Sequence, residues 1–141
     1  MRKTILGIAV AASALAAPAM ASAPVALDQL LPGSEVRRSI RFGGELRDDV
    51  LKLNPDGTVT GNWQVTRGIS GYGGDELRQG RINGTWTLVN GTLCMQGTGL
   101  PYKRVSCFAI TKTHGSKREF AATNVRTGDV WKMFIYSPNV L

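Results

Sequence analysis

Residues 82–96, INGTWTLVNGTLCMQ, decide the fold. Asn90-Gly91 is the strongest short hairpin signal in the chain, because both residues accept the positive φ that a type I′ turn demands. A two-residue turn there sets Val89 opposite Thr92, Leu88 opposite Leu93, Thr87 opposite Cys94 and Trp86 opposite Met95. Side chains alternate along a strand, so Ile82, Trp86, Leu88, Leu93 and Met95 share one face. A slip of one residue would send each flanking set to the wrong side.

Working outward, Gly97 to Pro101 closes the next hairpin. With Cys94 opposite Cys107, Leu93 meets Phe108 and Met95 meets Ser106, and the cysteines fall on the face away from the apolar one. His114-Gly115-Ser116 turns the chain again and sets Ile110 opposite Phe120. Thr127-Gly128 turns it once more, so Trp131, Met133 and Ile135 join Phe120 and Ala122. Upstream, Asn54-Pro55-Asp56-Gly57 reads as a type I turn followed by a glycine bulge. It pairs Leu53 with Val59 and gathers Leu51, Leu53, Val59, Trp63 and Val65 on one face. Val36, Ile40 and Phe42 mark an earlier strand.

The expected fold is all-β, with about eight strands in sequential hairpins at 36–42, 49–54, 58–66, 77–89, 92–97, 102–112, 118–125 and 129–136. Closing them into an antiparallel up-and-down barrel removes two exposed edges. A two-sheet sandwich is the competing arrangement. Pro24 to Gly33 is expected to open with a short helix, with Leu27, Leu30 and Leu31 as its apolar side and Pro32-Gly33 as its stop.

The first 23 residues have the form of an export signal: Arg2 and Lys3, an apolar run from Ile5 to Ala17, and Ala21-Ser22-Ala23 as a small-x-small cleavage pattern. Ala19-Met20-Ala21 offers a second cleavage point. Cleavage after Ala23 leaves residues 24–141 as one domain. It removes two of the 17 basic side chains and none of the 10 acidic ones, lowering the net charge from +7 to +5. A periplasmic or secreted address follows, and with it a disulfide between the two cysteines, Cys94 and Cys107. The 12 residues between them form a hairpin, whereas a redox-active pair would show CxxC spacing.

Catalytic patterns are lacking. The one histidine, His114, sits in a turn, and no nucleophile elbow surrounds a serine. One histidine and two bridged cysteines make no zinc site, and Asp56-Gly57 is a turn without the alternating oxygens of a calcium loop. Asp48-Asp49 and Asp75-Glu76 are adjacent pairs that point to opposite faces of a strand, so they read as solvated charges. The expectation is therefore no enzyme, no metal and no cofactor.

Binding signals are sparser. Arg67 to Asp75 holds four glycines in nine residues; Arg67, Ile69 and Tyr72 are its candidate contacts, with a plain connector as the alternative. Arg37, Arg38 and Arg41, with Arg47 nearby, form a candidate contact for an anionic surface such as an envelope polymer or lipid headgroup, with a solvated barrel exterior as the alternative. Nucleic acid is an unsuitable partner, since there is no recognition helix or aromatic platform. Trp63, Trp86 and Trp131 fall on the inner face, where they fill the barrel or floor an apolar pocket at its mouth.

Gly84-Thr85-Trp86, Leu93-Cys94 and Cys107, within Gly80 to Gly128, resemble a pattern in small exported proteobacterial proteins of uncharacterised function. That resemblance implies a β-barrel-like fold and a periplasmic address, without an activity. The general build is also similar to lipocalin and avidin-like barrels, which bind small ligands. Those families carry Gly-x-Trp on their first strand, whereas here it lies mid-chain, so none of their ligand residues is transferred. In size and architecture the chain is similar to periplasmic protease inhibitors built on eight-stranded barrels. Fold likeness alone does not assign function. The functional expectation is an exported non-catalytic binding protein that presents loops on a disulfide-stapled barrel. The alternatives are an inhibitor of a secreted or periplasmic hydrolase and a structural envelope component. Its partner is a small ligand or an envelope or protein surface, and no segment spans a membrane.

Overall fold

A computed structural model describes residues 26–68 and 76–139. The expected export signal, and Ile69 and Tyr72 of the glycine-rich loop, lie outside the described residues. Eight strands follow one another: β1 (Glu35–Phe42), β2 (Glu45–Leu53), β3 (Thr58–Arg67), β4 (Glu76–Val89), β5 (Thr92–Thr98), β6 (Ser106–Lys112), β7 (Glu119–Asn124) and β8 (Val130–Tyr136). Every neighbour in sequence is an antiparallel neighbour in space, and β8 returns to β1, so the sheet is a closed barrel and not a sandwich.

The decisive hairpin forms as its turn chemistry demands. Asn90 and Gly91 take φ of 50° and 79°, and Trp86 lies opposite Met95, Thr87 opposite Cys94 and Leu88 opposite Leu93. Cys94 in turn lies opposite Cys107, and the two are bonded, with Cα atoms 4.0 Å apart. At the earlier turn, Gly57 takes φ of 92° and donates to the Asn54 carbonyl, and Leu53 faces Val59. Removing the bridge with a Cys94→Ala/Cys107→Ala double variant is expected to cost about 3 kcal/mol, the loop-closure value for a hairpin of this length. Denaturant melts check it; a loss under about 1 kcal/mol would mean the unfolded chain gains little freedom.

Three expectations need correction. Ile110 faces Ala122, and Phe120 faces Lys112, two residues from the expected partner. The turn closes later, where the Glu119 N–H donates to the Ser116 carbonyl and the Lys112 ammonium binds the carbonyls of Thr113, Ser116 and Glu119. A shift of two preserves the face, so Ile110, Phe120 and Ala122 are still buried. Strand β2 begins at Glu45 instead of residue 49, and β6 at Ser106 instead of residue 102. The second change leaves Tyr102 in the loop between β5 and β6.

The apolar interior runs through Val36, Leu51, Leu53, Val59, Leu93, Phe108 and Met133, each at most 1% exposed. Helix α1 (Leu27–Leu30) adds Leu27 and Leu30, and Leu31 follows at 0% exposure. Four residues are too few for a helix to stand alone. The segment is held instead by burial and by two bonds to the end of β2: the Gly33 N–H donates to the Leu53 carbonyl and the Leu53 N–H to the Ser34 carbonyl. Gly84 shows how tightly the wall is drawn. A Cβ there would collide with the Gln96 carbonyl oxygen and lie 2.9 Å from the Gly97 Cα, so only glycine fits beneath the β4–β5 crossing.

Candidate functional site

The two ends of the barrel differ. The α1 segment stops the end where β1 begins and β2 finishes. The opposite end gathers the Gly43-Gly44 turn, the end of β3 at Arg67, the start of β4 at Glu76 and the connections β5–β6 and β7–β8. There charged side chains join the apolar ones on the inner face, beside Ile40 and Val65. Arg38 sits between Val36 and Ile40 on the inner face of β1, and Asp49 lies opposite it on β2. Both side chains are 0% exposed, and Arg47, one inward position further along β2, is 11% exposed.

Asp49 joins two cations. Its Oδ2 accepts from Arg38 Nε at 2.9 Å and its Oδ1 from Arg47 Nε at 2.8 Å. Arg47 Nη2 also donates to the Gly99 carbonyl, tying the β5–β6 loop to the barrel. From that loop Tyr102 folds inward, its hydroxyl accepting a long 3.5 Å bond from Arg38 Nη2. Its ring stacks on Trp131 at 6.4 Å and tilts against Phe108 at 5.7 Å. The Arg38 guanidinium lies 5.2 Å from the Trp131 ring centre, and Arg47 lies 5.3 Å from that of Trp63. Arg38 Nη1 is buried without a hydrogen-bond partner. Two guanidiniums against one carboxylate leave a net positive charge at this end, with a buried N–H still unmatched. Burial opposes the Arg38 charge, but Tyr102 and Asp49 together more than offset it, so the guanidinium stays protonated.

Burial also pushes the Tyr102 phenol above its ordinary value of 10.0, and the Arg38 charge opposes this only in part. A value raised on folding means that folding favours the protonated phenol. That stability is complete below about pH 10 and is lost as pH rises through the folded value. The tyrosinate absorbance of the wild type, less that of Tyr102→Phe, is expected to step above pH 10.0. A step at that pH would place Tyr102 in water, and a step below it would mean that the Arg38 charge outweighs burial.

The structure divides the candidate residues. Arg67 ends β3 at the same end as the Gly43-Gly44 turn, exposed and in register with Glu45 and Glu76. Arg37 and Arg41 point outward and are exposed, Arg37 pairing with Glu35 at 2.7 Å. Arg38 does not belong to that surface patch: it is 2% exposed and serves the interior. Asp49 likewise departs from a solvated reading, at 1% exposure, while Asp48 faces outward and accepts from the Ser39 hydroxyl. Residue parity carries both placements, since Arg38 is two from Val36 and Ile40, and Asp49 is two from Leu51. His114 is exposed in the turn between β6 and β7, at the α1 end. Trp86 is buried, its indole N–H donating to the Asn54 carbonyl at 2.8 Å. Trp63 and Trp131 are half-buried beside the arginines.

The barrel wall is incomplete at the same end. The β1–β8 ladder runs from Glu35–Tyr136 to Arg38–Met133 and stops there. Beyond it, Ser39, Ile40 and Arg41 face Val130, Trp131 and Lys132 across a cleft of about 620 Å³.

Among the described residues, no three His, Cys, Asp or Glu side chains come together as a metal ion would need, and no helix is long and apolar enough to cross a membrane. The disulfide is compatible with an extracellular or periplasmic location. Comparison with known protein families and with characterised proteins finds no match.

Proposed function

We propose that this is an exported, non-catalytic binding protein that takes a partner bearing an anionic group at the open end of its barrel. The observation that carries this reading is the asymmetry of the ends: one is stopped by leucines, and the other holds buried Arg38 and mostly covered Arg47 against a single carboxylate. A buried guanidinium N–H without a partner is costly, and an anion is the group that relieves it best. Asp49 favours binding over turnover, because both its oxygens are committed to arginines and neither is free to move a proton. Kinship with the small exported proteobacterial barrel proteins, and the cleaved signal over residues 1–23, belong to the same proposal.

The test is recovery of the mature protein from its native periplasm. Species retained by the wild type are compared with those retained by an Arg67→Glu/Arg104→Glu variant, whose changes are at exposed positions of the open end. The expected result is a retained species that is released by salt and absent from the variant, as charge-steered binding requires. Retention that ignores both salt and the variant would place the binding surface elsewhere.

A further inference from the structure

We infer that the split between β1 and β8 is a slot for an extended acidic peptide, which completes the barrel wall by adding a strand. This rests on the proposed binding of an anionic partner and names the chemistry of that partner.

The backbone makes the first argument. From Ser39 to Phe42, β1 has only β2 beside it, although the strand continues. From Val130 to Lys132, β8 has only β7 beside it. Two strand edges therefore look at each other across a gap with their ladder groups free on the facing sides. Such edges are templates for a further strand, which both could bond through its main chain. The cleft between them, about 620 Å³, falls in the ordinary size range of ligand sites.

The side chains make the second argument. Ile40 and Trp131 belong to the inner face and form an apolar floor, while Arg41 and Lys132 flank it outside. An inserted strand alternates its side chains between these two surroundings. Its inward residues meet Ile40 and Trp131, and its outward residues meet Arg41, Lys132 and the neighbouring Arg37. The acidic groups nearby are already engaged, Asp48 by the Ser39 hydroxyl, Asp129 by the Thr127 hydroxyl and Glu45 by Arg78, and Lys132 is held only by a 3.7 Å pair with Glu119. The occupant is therefore an extended segment alternating apolar and acidic residues. A second copy of this edge would bring cation against cation, and like charges directly opposite are unfavourable in a sheet.

The test uses the mature protein and a short synthetic peptide alternating aspartate and valine. A second peptide of the same sequence has two ladder-facing amides N-methylated. Binding is read from tryptophan fluorescence and from amide exchange. The acidic peptide is expected to bind and to slow exchange at 39–42 and 130–132. The methylated peptide should bind at least about tenfold more weakly, since it forfeits two main-chain hydrogen bonds. Arg41→Glu/Lys132→Glu, both at exposed positions, should weaken the unmethylated peptide by at least about tenfold as well. Equal binding of the two peptides, or protection only at other loops, overturns strand addition. The anionic-partner reading would survive that result if salt-sensitive retention persists. No binding of either peptide overturns the inference, and loss of salt-sensitive retention as well would overturn both.

Discussion

Asp49→Ala is expected to destabilise the protein by about 3–5 kcal/mol, a large share of the roughly 5–15 kcal/mol that holds a typical domain together. The carboxylate is 0% exposed and is the shared acceptor of Arg38 and Arg47. Removing it leaves two cations close together beside Tyr102, one of them fully desolvated. Neither can neutralise itself, because arginine holds its proton far above physiological pH. The loss therefore exceeds that of an ordinary hydrogen bond. An Arg38→Met/Asp49→Leu double variant is expected to recover part of it, since apolar groups of similar volume replace the fully buried pair and leave only Arg47, 11% exposed and still bonded to the Gly99 carbonyl, without its carboxylate. Chemical melts of the three proteins decide the point. A single-variant loss under about 1 kcal/mol would mean that Asp49 is solvated. If the double variant is no better than the single, the two side chains do not act as a pair.

Trp86→Ala is expected to cost about 3–5 kcal/mol for a different reason, the deletion of a large buried ring. Trp86 is 8% exposed and lies opposite Met95. Its indole N–H also fixes the carbonyl of Asn54, so the ring joins β4 to the Asn54–Gly57 turn. Trp86→Phe keeps most of the volume and loses that bond, so it should fall well short of the alanine loss. Urea melts with a common slope would measure both. An alanine loss under about 1 kcal/mol would contradict the register itself.

The strand order was legible because its punctuation is local. Asn90-Gly91 and Asn54–Gly57 each contain the residues that their turns require, and parity then carries the apolar face from hairpin to hairpin. The start of β2 was hidden by Arg47-Asp48-Asp49, whose polarity imitates a loop. What keeps those residues in a strand is pairing with both neighbouring strands, Asp49 lying opposite Arg38 on one side and Trp63 on the other. The candidate site was less legible still. Tyr102 reaches Arg38 across 64 residues of sequence, and no turn signal or periodicity specifies that contact. The open seam depends on the stagger between the first and last strands, which is set by closure of the whole sheet.

The most direct measurement is an amide chemical-shift map of the mature protein during titration with the aspartate–valine peptide. Perturbations are expected at 39–42, 99–105 and 130–132, the two edges of the seam and the loop that carries Tyr102. Shifts confined to the turns at 55–57, 90–91 and 114–118, beside the α1 segment, or spread evenly over the basic exterior, would contradict an open end built for binding.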